Sequence, residues 1–300
     1  MRRFDDVIEV GHLPQPKLIV ETPVEQLVAR QVAEYQRVWE EWEDDTQYEP
    51  VLAHLHVDAD NENLIRRRIN EAAAATQLAT ATGADLDIQG WARRVKRKVL
   101  VAADPAAIPP VEAVYEKDLD YRRRIQLAPE SWSVAGPEGA YVFWSMVAET
   151  SADATAVSPE PADALLTIMS FDLANRGQAD AAALDFVNVA VDQDKVVPFT
   201  DRVTIRSVEA VPFDFDATIF VKPGADGEVV RAEAAKRAAA YTDYVRYIGR
   251  QVEPVGLYGA LNVSGVERVD LGELSDGLVI QPHQVAFCEQ VSIALQVAHV

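Results

Sequence analysis

One cysteine among 300 residues, Cys288, excludes an internal disulfide and cannot alone supply a structural zinc site. It stands in AFCEQVSIALQV, which reads as a strand holding a buried thiol rather than a nucleophile. Long apolar runs are absent too, which excludes a membrane-spanning helix. The start MRRFDDVIEVGHLPQPK lacks the apolar centre and small-residue cleavage pattern of a secretory signal. The expectation is a protein made and kept in the cytoplasm, at least until assembly. Positive charge is scarce: 28 Lys plus Arg against 48 Asp plus Glu leave a formal charge of -20. That excess opposes nonspecific attraction to nucleic acid or anionic lipid, while remaining compatible with a basic docking partner.

What is present is an ordinary apolar fraction, 49%, on a chain long enough for two or three domains. Pro14 and Pro16 keep the opening irregular. From Pro23 to Asp44, Leu27, Val28, Val32, Tyr35, Val38, Trp39 and Trp42 recur with helical spacing, and EEWEDD closes the segment with charge. A second helix is expected from Tyr48 or Pro50 to Thr80, its alanines small enough to admit a close neighbour. TGADLD reads as a turn and DIQGWARRVKRK as a shorter helix. DPAAIPP, residues 104–110, is a connector, and KDLDYRRRIQLAP and GAYVFWSMVAET are helices.

Beyond residue 150 the pattern changes. ADATAVSP, ADALLTIMS, DRVTIRSVEAV, VPFDFDATIFV, ERVDL and AFCEQVSIALQV read as strands. NRGQADAAALDFVNVAVDQ and GEVVRAEAAKRAAAYTDYVRYI read as helices, and VEPVGLYGALNVSGV as a shorter helix and turn. Pro198 and Thr200 fit a connection. The fold class is α+β: a helical N-terminal half followed by two small mixed α+β domains. The divisions expected are 1–150, 151–210 and 211–300. The two small units share element order but too little sequence to establish a duplication.

Few residues point to chemistry. HLHVDAD places His54, His56, Asp58 and Asp60 two apart; on a strand they would share one face and could approach zinc or iron, whereas on a helix they diverge. The surrounding pattern favours a helix, so a solvated polar face outweighs a metal site. His12, His283 and His299 lie in irregular or terminal segments, and no motif couples them to a serine or cysteine nucleophile. SVAGPEGAY could present backbone amides to an anion, but it is neither GxxxxGK[ST] nor GxGxxG, and Glu138 would repel phosphate. Gly136 and Pro137 instead read as a fixed corner between helices. No catalytic, cofactor-binding or metal residue is therefore assigned.

Basic residues concentrate at Arg66–Arg68, at Arg93, Arg94, Lys96, Arg97 and Lys98, and at Arg122–Arg124. Brought together they would form a positive strip suited to an acidic partner or a second copy; solvated helix faces and nucleic acid are the competing readings. Trp39, Trp42, Tyr141, Phe143 and Trp144 suit an interface or a core equally well.

Several stretches in order resemble one family, the baseplate J proteins of P2-like contractile-tailed bacteriophages. They are LPQP at 13–16, RRRINEAAAATQLATATGADLD at 66–87, DPAAIPPVEAVYEKDLDYRRRIQLAPESWSVAGPEGAYVFW at 104–144, DRVTIRS at 201–207, EPVGLYGALNVSGVERVDL and AFCEQVSIAL. HLHVDADNEN departs from the family pattern. The resemblance implies a noncatalytic wedge subunit of a tail baseplate. Its helical N-terminal part would bundle with a wedge protein of the tail protein I type, and its later domains would contact a second copy. Hub and sheath-associated baseplate proteins would be further partners, with no direct nucleic acid, no membrane insertion and no cofactor. The different-class alternatives are a metal-dependent soluble enzyme using His54 and His56, and a nucleic-acid-binding module.

Overall fold

The computed structural model describes residues 13–14, 17–39, 50–133, 136–191, 197–198, 200–224 and 226–297. The N-terminal half is helical and mixed α+β regions follow it, as the residue patterns predict. The chain divides into two compact units, Met1–Arg97 with Glu116–Gln126, and Lys98–Tyr115 with Leu127–Val300.

In the first unit, α1 (Val24–Val38) packs on α2 (Pro50–Ala75). Their joint core is small: Leu27, Val28 and Ala59 are buried, with Val24, Val32 and Leu55 against them. The expected helix to Asp44 ends at Val38 instead. Trp39 leaves it at φ -129°, ψ 89°. Trp42 and EEWEDD lie outside the described residues.

The second helix ends at Ala75 rather than Thr80. The hydroxyls of Thr76 and Thr80 donate to the Ala73 and Ala74 carbonyls at 2.8 and 2.6 Å, replacing continued helical bonding. Segment 18–22 lies along α2, gripped by side chains. Asn70 Oδ1 accepts from the Leu18 and Ile19 amides, and its Nδ2 donates to the Ile19 carbonyl. Asn63 Nδ2 and Arg66 Nη1 donate to the Thr22 and Val20 carbonyls. Residues 63, 66 and 70 share one helix face, so their polar ends do for an extended chain what a neighbouring strand would do.

The third helix, α3 (Gly83–Ala92), corrects the predicted turn at TGADLD and helix over DIQGWARRVKRK. Thr82 is extended and the Gly83 N–H donates to the Asp118 carboxylate at 3.0 Å, so the helix begins early. It ends early because Arg94 is left-handed, φ 60°, and the Val95 N–H returns to the Gly90 carbonyl. Most of α4 (Asp118–Leu127) completes this unit.

The second unit opens with a hairpin that sequence reading missed: β1 (Val99–Val101) pairs antiparallel with β2 (Val114–Tyr115), and DPAAIPP lies in its loop. A 3-10 turn (Ala128–Trp132) then leads to α5 (Glu138–Ser145). Strands β3 (Ser151–Val157) and β4 (Asp163–Ser170) pair antiparallel; α6 (Ala181–Val191) returns the chain to β5 (Arg202–Ser207), parallel to β4. The other sheet has β6 (Glu209–Val221) at its centre, antiparallel to β7 (Val266–Asp270) and parallel to β8 (Gln284–Val297). Helices α7 (Gly227–Val245) and α8 (Pro254–Leu261) connect β6 to β7.

The core of that second sheet follows directly from period two. Phe213, Phe215, Ala217, Ile219 and Val221 face inward between exposed Asp214 and Asp216, and meet Ala234, Ala238, Leu257 and Leu261. DRVTIRSVEAV is not the single strand expected. Val208 divides it: its N–H goes to the Ile168 carbonyl, whereas the Glu209 N–H goes to that of His283, so the chain changes sheets there. Val208, Met169, Ile248 and Val285 form a small core of their own, braced by the buried carboxylate of Asp153, which accepts from the Ile248 N–H at 3.0 Å.

Candidate functional site

HLHVDAD lies within α2, and that placement removes the metal geometry. Residues two apart on a helix diverge by about 200°. His54, His56, Asp58 and Asp60 are all exposed. Among the described residues no group of three or more His, Cys, Asp or Glu is placed to hold a metal ion. The His283 imidazole lies 3.3 Å from the Glu209 carboxylate, and His12 and His299 lie outside the described residues.

Gly136 and Pro137 form the predicted corner. Gly136 has φ +67°, and a Cβ there would stand 2.8 Å from Pro198 Cγ, so glycine is required on both counts. Pro137 precedes the first turn of α5, whose buried Tyr141 donates its hydroxyl to Asp201 Oδ2 at 2.7 Å. Burial, then that bond and the Asp201 charge, push the Tyr141 phenol above its ordinary range. Phe143 is buried and stacks edge-on with Trp144, so these corner aromatics chiefly serve the core. Val134 and Ala135 lie outside the described residues.

The basic tracts do not combine into a positive strip. Arg122 spends its guanidinium on the Leu78 and Ala81 carbonyls at 2.8 and 2.7 Å, tying down the chain that leaves α2. Arg124 is buried against the fully buried Glu116 and also donates to the Lys96 carbonyl. Arg97 bridges Asp87 and Asp118 at 2.7 and 2.6 Å and stacks over the Tyr121 ring at 4.6 Å. Burial raises the Asp118 carboxyl, but the Gly83 amide and Arg97 outweigh it, and the net shift is downward. Lys98 is buried, its Nζ 2.6 Å from both the Ala148 and Ser151 carbonyls. Arg66 and Arg68 pair with Glu62 and Glu71 on their own helix.

Tyr121 organises the first unit. It is buried, its hydroxyl donates to the Val95 carbonyl at 2.9 Å, and a Cβ at Gly90 would fall 1.9 Å from Tyr121 Oη. Sequence reading missed this knot, since nothing in RRVKRK or DYRRR tells an inward arginine from an outward one. Cys288 does sit in a strand, β8, but is half-buried rather than buried. It lies where a register shift interrupts the β6–β8 pairing, and its thiol donates to the Gln290 carbonyl. Burial raises its pKa, against the character of a nucleophile.

Two comparisons bear on this framework. The family model described as Baseplate J-like N-terminal domain matches residues 48–104. The chain is also similar to baseplate protein J of Escherichia phage P2, 35% identical over 295 residues, covering 96% of this chain and 97% of that protein.

Proposed function

The chain belongs to the Baseplate J-like family, and from that premise we propose that it is a noncatalytic structural subunit of a contractile phage tail, built into the wedge of the baseplate. The observation that carries the wedge role is a set of apolar side chains on α2, interspersed with the exposed polar His54, Asp58, Asn61 and Arg68, that no other described residue covers. Val57, Leu64, Ile65 and Ile69 are all exposed. At about 100° per residue they span roughly 140° of the helix, beside the face that Leu55 and Ala59 turn toward α1. Such a helix pair is an incomplete bundle, and apolar residues at helical spacing are what a further helix would cover.

Baseplate J proteins interact with other baseplate and tail components. For this chain we assign bundling with a tail protein I type subunit to the region 1–150, and contact with a second copy to the small domains 151–210 and 211–300. Hub and sheath-associated proteins complete the set, and the chain resides in the virion baseplate. Among the described residues no helix is long and apolar enough to cross a membrane. The work of the subunit is mechanical: its interfaces hold one arrangement of the wedge and exchange contacts for another on triggering.

Native mass spectrometry of the chain coexpressed with the neighbouring tail genes tests this. A heterocomplex containing two copies of this chain is expected, and Ile65→Asp with Ile69→Asp should abolish it while the chain itself stays folded. A strictly monomeric chain with no tail-protein partner would sink the proposal.

A further inference from the structure

The strongest unassigned surface lies on α3 and the chain that leaves it, a groove of ≈ 870 Å³ confined to the first unit. Its floor is fixed: Val95 and Tyr121 are buried and joined by the Tyr121 hydroxyl. Its rim is apolar on one side, where Trp91 is 81% and Ile88 64% exposed, one helical turn apart. The other side is basic. Arg94 and Lys96 are both exposed, and among the described residues neither side chain has an ion-pair partner. Asp87, the acidic residue in the lining, is already paired with Arg97. A solvated tryptophan on a rigid floor beside two unspent cations has the composition of a binding hot spot.

We propose that this groove receives a segment of a different baseplate protein, one that carries a large apolar side chain flanked by carboxylates. The inference rests on the baseplate reading above and deepens it by naming a surface and the chemistry of its occupant. Charge selects the occupant. Carboxylates would meet Arg94 and Lys96, and the anchor would cover Trp91 and Ile88. The reading above already gives the second copy the small domains 151–210 and 211–300, and a nucleic acid would meet the repulsion of a chain of charge -20 along its whole length. A short acidic segment on a less acidic protein avoids that cost.

The first two measurements use unmodified chain. Hydroxyl-radical footprinting should show Trp91 oxidised readily in the free chain and about tenfold more slowly in purified baseplates, with no change after nuclease treatment. Carbodiimide coupling on the same baseplates should join Lys96 Nζ to an Asp or Glu of another protein. Against that protein, Trp91→Ala should then weaken binding about thirtyfold, as loss of a hot-spot tryptophan does. Trp91 equally reactive in free and assembled chain, protection lost with nuclease, or Lys96 coupled only to another copy would each overturn the inference. Absence of the chain from baseplates would instead overturn the baseplate reading itself, so the two failures are distinguishable.

Discussion

The first unit and the second sheet of the other unit solve the same problem by opposite means. In the sheet, Phe215, Ile219, Leu257 and Leu261 build a continuous apolar core from strictly alternating strand residues and helix-period neighbours. In the first unit the α1–α2 core contains three buried residues. Beyond it, around the buried Leu86, Val95, Tyr121 and Ile125, arginines reach backbone carbonyls and one buried carboxylate. An apolar core gains stability from area and tolerates compensating changes. A polar knot gains position, because each bond has one geometry, and it fails sharply when one partner is lost.

The largest effect should therefore come from half of the buried ion pair. Glu116→Ala strands the Arg124 charge and should cost about 3–5 kcal/mol in urea unfolding, whereas Glu116→Leu with Arg124→Met should recover much of that loss. If the single and double replacements cost the same, the knot is not electrostatic and the contrast fails. Phe215→Ala in the sheet should also cost about 3–5 kcal/mol, but no partner change should rescue it, since a cavity remains.

Gly90→Ala comes next. The added methyl has Tyr121 Oη 1.9 Å away and the Val95 carbonyl oxygen 2.8 Å away, so overpacking of about 1–3 kcal/mol is expected in the same measurement. Asn70→Ala should cost about 1 kcal/mol and show itself locally, as faster amide exchange at Leu18 and Ile19 than in the sheet.

The smallest effects are those of pH. The lowered Asp118 carboxyl contributes stability that is complete above its unfolded pKa, about 4, and is lost as pH falls through the lower folded value. Asp118→Asn should flatten that acid limb. Tyr141 has the opposite sign: its raised phenol contributes stability present below about pH 10 and lost as pH rises beyond it. Ultraviolet titration should find its ionisation delayed until unfolding.

Much of the framework was legible because periodicity is local. The 2-residue repeat in VPFDFDATIFV dictates which face of β6 is buried, and the helical repeat from Leu27 to Val38 dictates α1. The corner at Gly136 was legible too, since a glycine and a proline restrict the backbone whatever surrounds them. The candidate groove was not: Trp91 sits in DIQGWARRVKRK, and only the left-handed Arg94 turns that tract from an extended helix into a rim with a floor beneath it.

The sequence by itself determined most of the element types, a helix-rich first half before a strand-rich second, the absence of an internal disulfide and the family, all of which depend on neighbours along the chain or on the ordered set of motifs. Tertiary structure alone decided which arginines are spent inside and which stay available, where Val208 passes the chain between sheets, and that Asn63, Arg66 and Asn70 hold segment 18–22. The physical reason is the same in each case. An apolar side chain needs only a buried face, whereas a polar group needs a particular partner, and these partners lie tens of residues away in the chain.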